Sequence, residues 1–356
     1  METRDVVVIG AGIAGLTLAR ALREQGLRPL VLERSTGVGG RCATRRVEGI
    51  PVDHGLPFLH GRDPRFLAEL RAVEECTPVP GWPARREGHG VPCQPTAFED
   101  GSFTMAFREG LSSFPKHLAR GLEIQRGAEV TGLSQAADLK DRGTVAVALR
   151  SGATVAAGVV VLTVPVPTSQ ALLESISPPS SAAAGLLPVL RQVRLLPSLT
   201  LIARYPEADA DRPAWDVRYP AESSMIHSIL NDSSKRSTLQ SDLTLVIQAR
   251  PGFSRTHLED PSEAWAGALL AECARLLGPW AGRPALHQAH RWRCARVDPV
   301  SELTSPLLVT LEGGASVGLC GEAFHPGGGA QGAYLSALAL SAQLELIPTW
   351  IQPTSR

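Results

Sequence analysis

The sequence predicts an α/β protein in which a Rossmann-like nucleotide-binding domain is interrupted by an inserted α+β domain. Three observations lead to this prediction. An apolar strand at residues 5–9 runs directly into the glycines Gly10, Gly12 and Gly15. A further strand and glycine run follow late in the chain, and several strands and helices lie between the two. Matching elements on both sides of a long middle segment indicate one domain inserted into another.

The opening motif has the spacing G-x-G-x-x-G, and its surroundings complete a dinucleotide-binding fingerprint. It opens an amphipathic helix at residues 16–23, and a second strand, Pro29–Glu33, then ends in an acid. The glycines permit a tight turn, a close backbone approach to a pyrophosphate and close packing of helix on strand. N–H groups at the helix start, at Ile13 and Ala14, would bind the phosphates. Glu33 would accept a hydrogen bond from a ribose hydroxyl.

The residues after Glu33 indicate which dinucleotide is bound. The strand continues through Arg34 into a glycine-rich loop that ends in Gly39-Gly40-Arg41. A nicotinamide site stops at the acidic residue. A loop of this kind resembles that of flavoprotein oxidoreductases of the amine-oxidase type, in which it passes beside the FAD pyrophosphate and ribityl chain. The resemblance implies that Gly40 lies close to FAD and that Arg41 pairs with a phosphate or packs near the flavin.

The last part of the sequence carries a matching second half of the site. A strand at residues 315–320 precedes Gly321, Glu322 and His325, and a last helix opens at Gln331. Gly327, Gly329 and Gly332 repeat the G-x-G-x-x-G spacing. We do not expect a nicotinamide site there, because no strand and acid follow at the usual distance before residue 356.

The resemblance to FAD enzymes of this type assigns roles to the second half. An acid after the last strand contacts the ribityl–phosphate segment, and the N-terminus of the final helix faces the flavin and stabilises its reduced form. In this chain the acid is Glu322 where an Asp is usual, so its arm is longer. A residue at the position of Val130 lies against the adenine through its backbone. The implied cofactor contacts of this half are Val130, Gly321, Glu322, Gly332 and Ala333.

Composition restricts the class of protein and its partners. A length of 356 residues favours two domains, and 35 basic residues balance 35 acidic ones. We therefore expect neither nucleic acid nor an anionic membrane as a partner. The six cysteines form no C-x-x-C pair, which favours reduced thiols in a cytoplasmic protein. No apolar run is long enough to span a bilayer.

The expected domain boundaries follow from changes of pattern along the chain. The FAD-binding domain takes residues 1–75, 110–172 and 300–356, and the substrate domain takes residues 76–109 and 173–299. Helices are expected at 64–75, 114–122 and 262–277. Strands are expected at 129–131, 145–149, 155–162, 199–205, 224–230, 243–249 and 288–296.

Further stretches sharpen the resemblance. Gly39–Arg46 is followed by Val52-Asp53-His54-Gly55 and by Arg62–Phe66, and Leu230–Arg236, His290–Ala295 and Gly332–Ser336 lie farther along. Together they resemble the bacterial branch of the renalase-like NAD/FAD-dependent oxidoreductases, within the flavin amine-oxidase superfamily. The resemblance implies an FAD-binding Rossmann-like domain of the amine-oxidase/glutathione-reductase type and noncovalent FAD. It further implies oxidation of a small molecule by hydride transfer to flavin N5, with O2 as the usual acceptor.

One segment departs from the family pattern. After Gly55, relatives continue Ala-Gln-Tyr-Phe-Thr, whereas this chain has Leu56-Pro57-Phe58-Leu59-His60. Two hydrogen-bonding groups are lost and an imidazole is gained in a segment that in the family approaches the substrate. Since lost polar partners change specificity strongly, we expect a different and more apolar substrate.

The sequence offers candidate catalytic residues but does not identify which of them act. His60 is a general base or substrate contact, or else a surface or structural histidine, and His325 lies in the loop nearest the flavin. Trp292 forms part of a substrate pocket, as the resemblance implies, or packs in the core. His287 and His290 lie on an expected strand without an acidic cluster, so we expect no metal site. Neither Cys42 nor Cys320 is expected to bond to the flavin.

Two function hypotheses follow. The first is an FAD-dependent oxidoreductase that oxidises a small molecule by a renalase-like or amine-oxidase-like reaction. The second is a flavin-binding protein without turnover, which serves as a redox sensor or pathway partner. A third hypothesis is a monooxygenase that a nicotinamide cofactor reduces. The sequence holds no evident second nucleotide site for that cofactor.

Overall fold

The structure, a computed structural model, describes residues 2–88, 97–135, 143–206, 211–236 and 242–345. Its strands, in chain order, are β1 (Glu2–Ile9), β2 (Pro29–Glu33), β3 (Thr44–Val47), β4 (Ile50–Asp53), β5 (Leu59–Gly61), β6 (Pro78–Pro80), β7 (Arg86–Glu87), β8 (Phe103–Phe107), β9 (Glu123–Arg126), β10 (Val130–Gln135), β11 (Val145–Leu149), β12 (Thr154–Leu162), β13 (Leu195–Tyr205), β14 (Val217–Arg218), β15 (Ile226–Asn231), β16 (Leu243–Ala249), β17 (Leu286–Val297), β18 (Leu307–Thr310) and β19 (Ser316–Leu319). Its helices are α1 (Ile13–Glu24), α2 (Pro64–Arg71), α3 (Ser113–Leu118), α4 (Val166–Glu174), α5 (Ser181–Ala184), α6 (Leu187–Leu190), α7 (Pro251–Thr256), α8 (Ser262–Leu277) and α9 (Gly329–Glu345).

The chain divides into two compact units. The first unit contains residues 1–40, 115–194 and 297–356, and the second contains residues 41–114 and 195–296. These boundaries differ from the expected ones mainly at residues 41–75 and 173–194. Residues 41–75 fall in the second unit because Asp53 there forms ion pairs with Lys235 and Arg236 of the same unit. Residues 173–194 fall in the first unit, where α5 and α6 pack against α4.

The first unit is built on a mainly parallel sheet. Its strand order is β10-β11-β12-β1-β2-β9, and β1 is parallel to both β12 and β2. Residues Val6–Val8 are fully buried, as expected of a central parallel strand covered on both faces. One cover is formed by α1 and α9, which pack against each other.

Strand β12 has a divided edge, which pairs with one strand along its first half and with another along its second half. This pairing joins distant parts of the chain into one sheet. Its first half, residues 154–157, pairs antiparallel with β11. Its second half, residues 159–162, pairs parallel with β19, and β18 pairs with β19 beyond it. The residue between the two pairings is Gly158. The late part of the chain therefore completes the sheet that the first residues begin.

The second unit is built on a mostly antiparallel sheet with the order β17-β13-β16-β15-β14-β7. One face of its central strands packs against the core that includes Trp265 and Cys273 of α8, and Tyr205 at the end of β13 belongs to this core. Two smaller sheets accompany it. Strands β3 and β4 form a hairpin, and β5, β8 and β6 form a three-stranded sheet.

Most expected elements are present, with shifted ends. The helix expected at 64–75 begins at Pro64, where Asp63 caps it by accepting the Arg65 N–H at 2.9 Å, but it ends at Arg71. The helix expected at 114–122 ends at Leu118, and the last helix begins at Gly329 rather than Gln331. The β3–β4 hairpin, β9 and β18 were not expected from the sequence. Among the described residues, no helix combines the length and the apolar character needed to cross a bilayer.

Candidate functional site

The turn between β1 and α1 is a tight glycine turn, as predicted. Gly10 has φ +106°, a conformation that favours glycine, and its N–H donates to the Leu32 carbonyl at 2.8 Å. A β carbon on Gly15 would lie 2.0 Å from the carbonyl oxygen of Gly10. The first and third glycines of the motif therefore serve close packing of helix α1 on strand β1.

The second glycine of the motif has a different environment. A β carbon on Gly12 would meet no atom within 4 Å, so the space beside it is open. Gly12 is the N-cap of α1, and no side chain caps the helix there. The N–H groups of the first turn, which contains Ile13, Ala14 and Gly15, have no partner within the helix. An uncapped helix start beside open space fits a phosphate group.

Glu33 ends β2 and is buried beside this turn. Its Oε2 accepts the Ala11 N–H and its Oε1 accepts the Ser35 N–H, both at 2.8 Å. The carboxylate thus holds the backbone of the glycine turn. Each carboxylate oxygen has a second lone pair, so the predicted contact with a ribose hydroxyl remains chemically feasible.

The loop after β2 returns to the same turn. The Gly39 N–H donates to the Ala11 carbonyl at 2.8 Å. Gly40 has φ +53°, and a β carbon on it would lie 3.9 Å from the Gly12 Cα. Arg34 is exposed at the start of this loop. Gly40 therefore borders the open space at Gly12, as expected of a residue close to the cofactor.

The residues directly before β10 lie beside the end of β2. The Ala128 N–H donates to the Glu33 carbonyl at 2.9 Å, and half-buried Val130 follows two residues later as the first residue of β10. This arrangement brings Val130 near Glu33, as expected if both contact the adenosine part of a dinucleotide.

The second half of the predicted cofactor site follows β19. Gly321 has φ +150°, and the Ser336 hydroxyl of α9 accepts its N–H at 3.0 Å. Glu322 is buried, and its Oε1 accepts the Val297 N–H at 2.8 Å. In the structure this longer acid therefore binds backbone of its own unit through one oxygen. Its predicted contact with the ribityl–phosphate segment stays a prediction.

The glycine run before α9 is held by an acid that the sequence analysis did not single out. Glu302 accepts the Gly327 N–H at 2.8 Å, and a β carbon on Gly328 would lie 2.3 Å from its Oε1. Burial, together with the nearby charges of Glu322 and Asp298, raises the pKa of Glu302. Farther along, Gly332 packs under His325, whose Nδ1 lies 2.6 Å from the Pro326 carbonyl oxygen.

The predicted cofactor residues of the first unit share one location in its sheet. Strands β1, β2, β12 and β19 run parallel within it. The β1–α1 turn, Glu33 and Gly321 follow the carboxyl ends of three of these strands, and Ala333 lies in the first turns of α9. In open parallel sheets, ligands bind outside the carboxyl ends of the strands. The described residues thus fit a dinucleotide.

In the second unit, Arg41 and Trp292 meet around Gly55. A β carbon on Gly55 would lie 2.2 Å from the Arg41 carbonyl oxygen and 3.0 Å from the Trp292 ring. The Trp292 indole N–H donates to the His54 carbonyl at 2.9 Å. The Arg41 guanidinium donates to the Ala295 carbonyl at 3.3 Å. Trp292 thus lies against His54 and Gly55, which directly precede the segment that departs from the family pattern.

Two histidines surround this tryptophan. The rings of His54 and His290 are 4.8 Å apart, and the His290 ring lies 4.3 Å from that of Trp292. Burial and the neighbouring His290 and Arg45 lower the pKa of His54 to about 4. Burial and Arg45 lower the pKa of His290 to about 4 as well. Both rings are therefore neutral at pH 7 and can accept as well as donate hydrogen bonds.

His60 lies in β5, opposite Thr104 of β8, and is buried in the second unit. Its ring centre is 6.0 Å from that of Phe58, which in turn contacts Trp82 and Phe98. His60 therefore belongs to an aromatic cluster rather than to the surface. Its proposed role as base or substrate contact stays a prediction.

A buried charge network was not anticipated. Asp53, Asp232, Lys235 and Arg236 are almost completely buried. Lys235 Nζ lies 3.0 Å from Asp53 and 2.9 Å from Asp232, and Arg236 Nη2 lies 2.7 Å from Asp53. Although burial opposes it, the charges of Lys235 and Arg236 lower the pKa of Asp53 to about 2. Lys235 and Arg236 follow an apolar strand in the sequence, and only their long-range partners show that they are buried.

The cysteines and histidines of the described residues form no metal site. No group of three or more His, Cys, Asp or Glu side chains in this part of the chain is arranged to hold an ion. Cys42 and Cys320 are buried, and burial raises the pKa of the Cys320 thiol. Cys93 lies outside the described residues.

Comparison with known proteins identifies related families. The model of the flavin containing amine oxidoreductases matches residues 79–344, and that of an NAD(P)-binding Rossmann-like domain matches residues 8–72. The flavin-containing amine oxidase of Oncorhynchus mykiss is 44% identical over 76 residues, which cover 21% of this chain and 14% of that protein. The matched stretches span less than a fifth of the length of such curated relatives.

Solved structures agree with this chain over almost its whole length. A putrescine oxidase bound to putrescine superposes with a TM-score of 0.71 at 14% identity, covering 97% of this chain and 99% of that one. Cyclohexylamine oxidase from Brevibacterium oxydans IH-35A gives a TM-score of 0.69 at 14% identity, covering 96% and 99%. At such identities the likeness demonstrates a common fold.

Proposed function

This chain belongs to the flavin-containing amine oxidoreductase family, and we propose that it holds FAD noncovalently and oxidises a small amine with O2 as electron acceptor. The observation that supports the proposal best is the open, uncapped start of α1 at Gly12, bordered by Gly40. The two residues leave room for a pyrophosphate where backbone N–H groups can bind it. Glu33, at the same strand end, suits a ribose hydroxyl.

Noncovalent binding is supported by the state of the cysteines. A thioether to flavin requires a reactive thiolate, and thiols become less reactive as their pKa rises. The Cys320 thiol lies at the end of β19, is buried and has a raised pKa. We therefore propose that phosphate, ribose and ring contacts alone retain the cofactor.

The chemistry assigned to the protein's own residues is binding and orientation. FAD, when bound, supplies the group that accepts a hydride. The amine must lose a hydride from the carbon next to nitrogen and a proton from nitrogen, and a C=N bond forms. Neutral His54 and His290 can accept hydrogen bonds, and Trp292 offers an aromatic face. These side chains and His60 are our candidates for substrate contacts.

The test begins with the purified protein. Brief heating should release FAD, identified by its absorbance and chromatography, without proteolysis. Anaerobic mixing with cyclohexylamine, putrescine or benzylamine should then bleach the oxidised flavin spectrum, and O2 should restore it with formation of H2O2. A colourless protein that takes up no added FAD would overturn the proposal.

The same experiment separates the alternatives. Bleaching by reduced isomers of NAD(P)H, and not by amines, would assign a renalase-like reaction. Bleaching by NADPH itself would favour a monooxygenase. Retention of FAD without reduction by any of these compounds would favour a flavin-binding protein without turnover.

A further inference from the structure

The segment of residues 53–57, which begins at the last residue of β4 and leads toward β5, is held by side chains from distant parts of the second unit. Three of its backbone carbonyl oxygens each accept a hydrogen bond from a different side chain. The pairs are Trp292 with His54 at 2.9 Å, Gln248 with Gly55 at 2.7 Å, and Lys235 with Pro57 at 2.7 Å. We call these three side chains the clamp.

Two clamp residues come from strands of the large sheet, and the third comes from the turn that follows another of its strands. Gln248 lies on β16, Trp292 lies on β17, and Lys235 lies in the helical turn after β15. The amide of Gln248 is itself oriented, because the Ser228 hydroxyl donates to its Oε1 at 3.2 Å. All three side chains are far from residues 53–57 in the sequence. The path of this segment is therefore fixed by long-range contacts and not by its own sequence.

Lys235 is the member of the clamp that carries a buried charge. Its ammonium is buried and bonds to Asp53, Asp232 and the Pro57 carbonyl. It also lies 4.3 Å from the centre of the Trp82 ring, within the range of a cation–π interaction. Burying a charge is costly unless it is fully paired, so its position tolerates little movement.

The clamp also fixes the residues directly after the segment. Phe58 comes next after Pro57, and its ring contacts those of Trp82 and His60. The Trp82 indole N–H donates to the Ser234 hydroxyl at 2.8 Å, beside Lys235. A shift of residues 53–57 would therefore move Phe58 and His60, which lie in the part of the chain that departs from its relatives.

We propose that Lys235, Gln248 and Trp292 are positioning residues that set substrate specificity by fixing residues 53–57 and, through them, Phe58 and His60. This rests on the proposed amine oxidation. None of the three need touch the reacting atoms. Each acts by holding a carbonyl oxygen whose displacement would change the positions of the two side chains.

The test uses Gln248→Met in the FAD-loaded protein, because this change keeps the side chain's size while it removes the donor to Gly55 and, with it, the acceptor of the Ser228 hydroxyl. Tyr205→Phe is the matched control, since it removes a hydrogen bond to the Ala281 carbonyl in the same unit without touching the segment. Gln248→Leu, which also lacks the donor to Gly55, is a second variant should the first fold poorly.

Two measurements decide the outcome. Hydrogen–deuterium exchange of residues 53–60 should be faster in Gln248→Met by about tenfold, the loss expected for one net hydrogen bond, and unchanged in Tyr205→Phe. The ratio of kcat/KM for cyclohexylamine to that for butylamine should change at least fivefold, through KM rather than kcat. The control should keep the wild-type ratio.

The outcomes separate this proposal from the one on which it rests. Equal exchange in variant and wild type would overturn the clamp, whatever the enzyme oxidises. Faster exchange with an unchanged substrate ratio would overturn the specificity role. A wild type that oxidises neither amine would overturn the proposed function and, with it, the role in specificity, while exchange would still report whether the segment is held.

Discussion

Gly15 lies so close to Gly10 that a β carbon on it would come within 2.0 Å of the Gly10 carbonyl oxygen. The same carbon would lie 2.7 Å from the Thr163 hydroxyl, which donates to that carbonyl at 3.0 Å. Helix α1, strand β1 and the end of β12 are thus packed at backbone distance. The third glycine of the motif has a structural role that exists without any cofactor.

Gly15→Ala should therefore destabilise the protein even when it is free of FAD. The added methyl group must displace backbone, and overpacking of this kind costs about 1–3 kcal/mol. Urea denaturation of the FAD-free protein measures the loss. An unchanged midpoint would show that the close approach of Gly15 to Gly10 is wrong.

Gly12→Ala should affect FAD binding much more than stability. Gly12 has φ −79° and ψ −177°, which alanine adopts readily, and its added carbon meets open space. The stability of the FAD-free protein should fall by about 1 kcal/mol, because alanine is less favourable than glycine at an N-cap, whereas FAD affinity should fall at least tenfold because the methyl group occupies the phosphate space. Equilibrium titration with FAD checks this. Full FAD affinity in Gly12→Ala would place the phosphates elsewhere.

Glu33→Gln should weaken the turn and the cofactor site together. Glu33 accepts hydrogen bonds from two backbone N–H groups. In the variant one of these N–H groups would face the side-chain NH2 group, and leaving that backbone group unpaired costs about 1–3 kcal/mol. FAD affinity should fall as well. The control is Glu123→Gln in an exposed ion pair with Arg4, where we expect a change of about 0–1 kcal/mol. Equal effects in the two variants would contradict the assignment, and urea denaturation measures both.

Asp53→Asn should be severely destabilising. It would leave Lys235 and Arg236 buried with only Asp232 as a charged partner, and breaking a buried ion pair costs about 3–5 kcal/mol. Thermal and urea unfolding measure the loss. Asp63→Asn, at the half-buried N-cap of α2, should cost far less. A loss below about 1 kcal/mol in Asp53→Asn would show that the network is not buried as described.

Acid should destabilise the protein through its buried histidines. Burial, with help from Arg296 and Arg250, lowers the pKa of His227 to about 3. Between pH 6.5 and that value the unfolded chain binds a proton that the folded chain does not, so stability falls as the pH falls. From pH 6.5 to 5 the loss is about 2 kcal/mol for such a histidine.

The variant His227→Gln removes this titration. Its free energy of unfolding should fall about 2 kcal/mol less than that of the wild type over the same pH interval. His287→Gln at an exposed position is the control and should follow the wild type. Parallel pH profiles for His227→Gln and wild type would contradict the burial of His227.

The glycine turn after β1 and the position of Glu33 beside it could be predicted because their signals are local. Gly10, Gly12, Gly15 and Glu33 stand at spacings that a single βαβ unit imposes, and Gly40 follows within the same loop. The β3–β4 hairpin was missed because its turn is Glu48-Gly49, which lacks the Asn-Gly or Asp-Gly signature of a two-residue turn. The hairpin is visible only in its pairing.

The charge network could not be predicted, since burial of Lys235 depends on partners far away in the sequence. A lysine and an arginine after a strand are typical of an exposed turn. Their acids include Asp53, which precedes them by more than a hundred and eighty residues. Composition and spacing carry no signal for such a pairing.

The divided edge of β12 has a consequence for biosynthesis. Residues 159–162 reach the folding environment long before β19, whose hydrogen bonds they need. Until translation reaches residue 319, this half of the strand presents unpaired amide groups beside a hydrophobic sheet, which is a template for aggregation. A ribosome stalled before β19 should therefore yield a nascent chain that depends on chaperones, and completion of the last strand should release it.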